Sequence, residues 1–79
     1  MPEAPSRVLW TDHALVKARM SGVSRADVED RVLAGHEHRR RNSGAAEWRV
    51  EFDRWVIVYD HPYGGDATAA RVVTMWRQG

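Results

Sequence analysis

The chain has 79 residues, 43% of them hydrophobic and 29% charged, with no cysteine and a formal net charge of +1. That length allows one small core, and the missing cysteines exclude disulfides, iron–sulfur clusters, thiolate zinc sites and thiol nucleophiles. Twelve Lys and Arg against eleven Asp and Glu give no overall basic field to draw in nucleic acid. Four Trp, two Tyr and one Phe must supply much of the core. The longest apolar run, Trp55–Tyr59, is far below the roughly 20 residues of a spanning helix, and the start has no apolar stretch of signal-peptide length. A soluble, cytoplasmic protein with no membrane partner is the expectation, and a reducing compartment is the simplest home for a chain without cysteine.

Residues 1–6 read as a flexible start and 7–79 as a single domain. Arg7–Trp10 is a short extended lead-in, and Thr11 or Asp12 can accept from the free N–H groups of a new helix. That helix runs through Ala14, Leu15, Ala18 and Arg19 and stops near Ser21 and Gly22, where glycine can turn left-handed. Ser24 with Asp27 approximates a capping box, and Ala26, Val28, Val32 and Leu33 give the second helix an apolar stripe that Gly35 closes. His36 to Asn42 reads as a first, polar strand turning at Ser43 and Gly44. From Glu47 to Asp53 the pattern alternates strictly, with Trp48, Val50 and Phe52 on one face and Arg49, Glu51 and Asp53 on the other. A tight hairpin at Asp53 and Arg54 leads into Trp55–Tyr59, apolar on both faces as a covered central strand would be. Asp60 to Asp66 is a loop. Ala69 to Arg77 resumes strand character, with Val72, Thr74 and Trp76 opposite Arg71, Val73 and Met75. The sum is an α+β domain, two N-terminal helices packed on a three- to four-stranded antiparallel sheet.

Particular residues in this order resemble a small, largely uncharacterised bacterial and phage domain family. Its opening pattern is close to Thr-x-His-Ala, with a basic residue one turn on and a Gly-Ile-Ser turn before the second helix. Here these positions read Thr11, Asp12, His13 and Ala14, then Lys17, then Gly22, Val23 and Ser24. Val28 and Leu33 follow in the second helix, with Gly35 after it, and the ending Val72, Val73, Thr74, Met75 and Trp76 resembles the family's Val-Val-Thr-Val-Tyr. The family is similar to the ribonuclease-like fold group of barnase, EndoU nucleases, colicin tRNases and RelE-type toxins. The resemblance implies a RelE-like fold and RNA cleavage without metal or cofactor. Ser21, where the family often has a second Arg, and the near-neutral charge depart from the pattern.

Metal-free RNA cleavage needs a base for the 2′-hydroxyl, a cation at the scissile phosphate and an acid for the leaving 5′-oxygen. His13, in the first helical turn, is the candidate base, and Lys17, four residues on, shares its face and could grip a phosphate. Packing or capping is the competing role for His13. Arg49, on the polar face of its strand, would stabilise a phosphorane, or else pair across strands with an acid. Thr74 and Trp76 would orient a phosphate and stack a base if their face is open, and are core if it is covered. Arg39, Arg40 and Arg41 beside His36 and His38 make a local basic ridge for RNA, or a solvated strand edge. His61 and Tyr63 stand in the glycine-bearing loop, a binding loop or a simple turn. The two histidines at 36 and 38 lack a third ligand, so no metal site is assigned.

Three functions compete. One is a RelE-like toxin, an endoribonuclease restrained by a cognate antitoxin or other protein partner. Another is a non-catalytic RNA- or protein-binding module of the same fold. A third is a phage or mobile-element accessory protein that pairs through an exposed edge at Ala69 to Arg77.

Overall fold

The computed structural model describes residues 4–78. Its elements are β1 (Arg7–Trp10), α1 (Asp12–Ser21), α2 (Arg25–Gly35), β2 (Arg40–Arg41), β3 (Trp48–Phe52), β4 (Trp55–Asp60) and β5 (Ala69–Arg77), with a 3₁₀ turn over His36–His38. Residues 1–3 of the predicted flexible start lie outside the described residues, as does Gly79. The five strands form one sheet in the order β1-β5-β4-β3-β2. The α+β class is as expected, but the sheet is mixed and larger than three or four antiparallel strands. Arg7–Trp10 is a full strand, parallel to β5 with Arg7 beside Ala69 and Trp10 beside Val72. Its partner lies more than sixty residues away, so nothing local in those four residues announces the pairing. The same pairing places β5 inside the sheet, between β1 and β4, and covers Ala69 to Val72 of the edge expected to lie exposed from Ala69 to Arg77.

Helix α1 begins where Thr11 does two things at once. Its Oγ1 accepts from the Ala14 N–H at 3.1 Å and donates to the Val73 carbonyl at 2.8 Å. The cap therefore also fastens the helix to the middle of the sheet. At the other end Gly22, at φ 69°, takes the left-handed conformation, and the Val23 N–H reaches the Ala18 carbonyl at 3.0 Å. Ser24 caps α2 by accepting from the Asp27 N–H at 3.4 Å. Ala14 and Ala18 of α1 and Val28 and Val32 of α2 pack on Val50, Ile57, Tyr59, Ala70, Val72 and Met75 of the sheet. Ala26, expected in the α2 stripe, is exposed.

Both helices thus lie over one face. On the other, a small cluster of Val56, Val58 and Ala46, flanked by Val73, has no helix above it. A register shift between β4 and β5 at Val58 and Tyr59 breaks the expected alternation of β5. Val72 and Met75 both reach the helix side, while Thr74 and Trp76, opposite Val58 and Val56, lie on the uncovered side. His36 to His38 turns as 3₁₀ rather than extending, so the predicted strand shrinks to two residues.

The hairpin between β3 and β4 turns on Asp53 and Arg54, at φ 45° and 67°. Both angles positive is the type I′ geometry that suits the twist of a two-residue loop. For arginine that conformation is strained, so Arg54→Gly should raise stability by about 1 kcal/mol in urea unfolding at unchanged slope. Thr11→Val should do the opposite, lowering stability by about 1 to 2 kcal/mol through the lost cap and strand tie.

Candidate functional site

The uncovered sheet face carries the densest set of the side chains singled out by sequence. Arg49 stands opposite Val58 and Glu51 opposite Val56, so both belong to that face. Arg40, beside Arg49 in the β2–β3 pair, joins them. Thr74 and Trp76 come from the other side of β4, and Trp76 remains 37% exposed. Four of the predicted residues, Arg40, Arg49, Thr74 and Trp76, are therefore brought to one surface from three strands.

Arg49 is not free on that surface. Its Nε and Nη2 both donate to Oε2 of Glu51, at 3.1 and 2.7 Å. The hydrogen bonds, more than the nearby charge of Arg40, hold the Glu51 carboxyl below its ordinary range. Arg40 makes no ion pair among the described residues, which leaves its guanidinium as the available cation next to the Arg49–Glu51 pair. A cavity of about 370 Å³ opens here, lined by Gly35, His38, Arg40, Arg49, Val50 and Glu51. His38 is 82% exposed and lies 3.5 Å from Glu37.

His13 and Lys17 lie elsewhere. They ride on α1, whose Ala14 and Ala18 seal the helix side of the sheet, whereas Arg49 points from the opposite face. The expected convergence of a helical imidazole and a strand guanidinium on one hollow does not occur. The arginine ridge also divides, because successive strand residues point to opposite sides. Arg39 and Arg41 stack on the Trp48 ring, at 4.1 and 4.8 Å from its centroid, on the helix side, and only Arg40 faces the uncovered one. Arg41 also lies 3.9 Å from Glu47.

The histidines at 36 and 38, expected as solvated neighbours, part company. His36 is buried, its Nδ1 sharing a 2.7 Å hydrogen bond with the hydroxyl of fully buried Tyr59. His61, also buried, meets the His36 ring edge-on at 4.5 Å. Its Nε2 donates to the Ala67 carbonyl at 2.7 Å, and its own carbonyl accepts from the Trp48 indole at 3.2 Å. The loop residue expected to bind or merely turn the chain is in fact a fastener between loop and core. Arg39 closes the cluster by donating from Nη1 to the His36 carbonyl at 3.0 Å. Sequence reasoning missed this group; its signal is two histidines and a tyrosine that meet only across α2 and β4.

No protein-family model, no curated protein and no solved structure matches the chain.

Burial, and then the charge of Arg39 and the neighbouring His61 ring, lower His36 from 6.5 to about 4. As pH falls from 6.5 toward 4, the unfolded chain binds a proton that the folded chain refuses, so stability declines through that window and levels off below it. The full loss should be on the order of 3 kcal/mol. The depressed carboxylates contribute lower down, Glu51 below 4.5 and Asp66 between 3.8 and about 2. Urea unfolding between pH 6.5 and 4.5 should show the slope in the native chain and a much flatter one in His36→Gln.

Proposed function

We propose that the protein is a non-catalytic module that binds single-stranded RNA across the uncovered face of its sheet. One observation carries this reading: Arg40, Arg49, Thr74 and Trp76 project together from a face with no helix over it. Stacking on an indole suits any base, because every base has a π-face, and the arginine fork suits the phosphate oxygens beside it. The Thr74 hydroxyl adds a donor between them. Phosphate contact centred on Arg40, whose guanidinium makes no ion pair among the described residues, fits a chain of net charge +1, for which a large electrostatic attraction is absent.

A specific observation also favours a second reading, metal-free cleavage by a toxin-like ribonuclease. The cavity that holds Arg40 and Arg49 is lined by one carboxylate, Glu51, and one imidazole, His38. In that chemistry Glu51 takes the 2′-hydroxyl proton as the 2′-oxygen attacks phosphorus. His38 gives a proton to the departing 5′-oxygen, leaving a 2′,3′-cyclic phosphate. The hydrogen bonds from Arg49 that depress Glu51 make it a weak base, which ranks cleavage second. An antitoxin partner belongs to this reading alone.

Fluorescence anisotropy with a labelled single-stranded decanucleotide RNA should give saturable binding. Trp76→Ala should weaken it roughly tenfold, and Arg40→Ala should flatten the salt dependence by about 0.7 in log–log slope. Undiminished binding in Trp76→Ala, or none in the native chain, would defeat the proposal. Incubation of the same RNA in EDTA decides between the readings: cleavage lost in both His38→Ala and Glu51→Gln would establish turnover, and intact RNA leaves binding alone.

A further inference from the structure

We propose that Arg71, braced on the ring of Tyr63, is a phosphate-binding position at the far end of β5 from Trp76, so that RNA runs lengthwise along that strand. The inference rests on RNA binding across the uncovered face and adds an anchor to it.

The register shift is what brings Arg71 to that face. Strict alternation along β5 sets Arg71 on the side opposite Thr74 and Trp76. In the structure β5 carries one more residue than β4 between the Thr74–Val58 and Val72–Tyr59 pairs, and that extra residue, Val73, resets the alternation beyond it. Ala70 and Val72 both pack on the helix side, so Arg71 between them points the other way. Strand β4 gives the same answer. Arg71 stands opposite Asp60, which shares the uncovered face with Val56 and Val58 at every second residue. Trp76, Thr74 and Arg71 thus form one file, opposite Val56, Val58 and Asp60 in turn. At the rise of a strand the backbone positions of Trp76 and Arg71 lie about 13 Å apart.

The guanidinium at the end of this file is both held and unclaimed. It lies over the Tyr63 ring, 5.0 Å from the centroid, and Tyr63 itself is 36% exposed. Half-buried Leu9, beside Arg71 in the β1–β5 pair, stands on its other flank. Arg71 makes no ion pair among the described residues. Asp60 and Asp66, the acids in register with Arg71 and Tyr63, have other partners. Asp60 turns its Oδ1 to the Glu47 N–H at 3.0 Å, on the β3 side of β4 and away from β5. Asp66 takes Arg7 at 2.7 Å and the Thr68 hydroxyl at 2.6 Å.

Spacing selects the ligand. About 13 Å exceeds the distance from a base to the phosphate of its own nucleotide, so an anion at Arg71 belongs to a different nucleotide of the strand whose base stacks on Trp76. A single nucleotide engages one end or the other, and an oligonucleotide engages both, with the Thr74 hydroxyl between them. Resting on an aromatic ring, the guanidinium fork has less side-chain freedom to lose when it takes phosphate oxygens.

The test is fluorescence anisotropy of labelled decauridylate with the whole chain over a range of salt concentrations. Arg71→Gln should weaken binding roughly tenfold at low salt and flatten the log–log slope by about 0.7, and Arg71→Lys should keep the native slope. Tyr63→Leu should weaken binding about threefold, while Tyr63→Phe, which retains the ring, should bind as the native chain does. Arg19→Gln, at an exposed position of α1, controls for diffuse charge and should leave affinity and slope unchanged. A native slope in Arg71→Gln, with Trp76→Ala still weakening binding, would overturn the anchor and leave the sheet-face reading in place. Equal flattening by Arg19→Gln, or a flattened slope in Arg71→Lys, would overturn it too. Absence of binding in the native chain would remove both.

Discussion

The hydroxyl of Thr11 settles which side of the sheet is closed. By accepting from the start of α1 and donating to the carbonyl of Val73, it fixes the helix against β5, the strand that links β1 to the rest. Ala14 and Ala18 can then lie flat on Val72 and Met75, and α2 fills the remaining space on the same side. The opposite face receives no helix among the described residues. Its valines, Val56 and Val58, pack instead with Ala46 of the β2–β3 connection and with Val73, and the strand positions beside them carry Arg49, Thr74 and Trp76 of the candidate interface.

The arginines divide into two populations with different physical roles. Arg39 and Arg41 lie over Trp48, and Arg39 also donates to the carbonyl of His36, so their stems and forks extend a small core outward. Arg40 and Arg49 face the other way, around a cavity with a single carboxylate. A run of three identical residues thus divides between packing on Trp48 and the opposite face, because a strand turns its side chains alternately. Near-zero net charge and a locally basic surface coexist without conflict.

The buried histidines give the small fold a polar lock in place of the disulfide it cannot have. His36, Tyr59 and His61 join the end of α2, the central strand and the glycine-bearing loop through two 2.7 Å hydrogen bonds and an edge-on ring contact. Burying such groups is tolerable only while their hydrogen bonds are made and the imidazole stays neutral. The same cluster holds the turn from α2 into β2 against the central strand.

Much of the fold was legible in local pattern. Both helices, a first cap at Thr11 or Asp12 and a second at Ser24, the stop at Gly22, the alternation of Trp48 to Phe52 and the hairpin at Asp53 and Arg54 all follow from period, capping chemistry and turn geometry, which act over a few residues. Pairing partners and faces do not. That Arg7–Trp10 joins β5 in parallel, that a register shift moves Met75 to the helix side, that His36 is buried while His38 is exposed, and that His13 and Arg49 look in opposite directions are outcomes of contacts between distant segments. Residue type alone carries no information about which face a helix will cover; only the assembled core, by filling one side of the sheet, leaves the other side without a helix over it among the described residues.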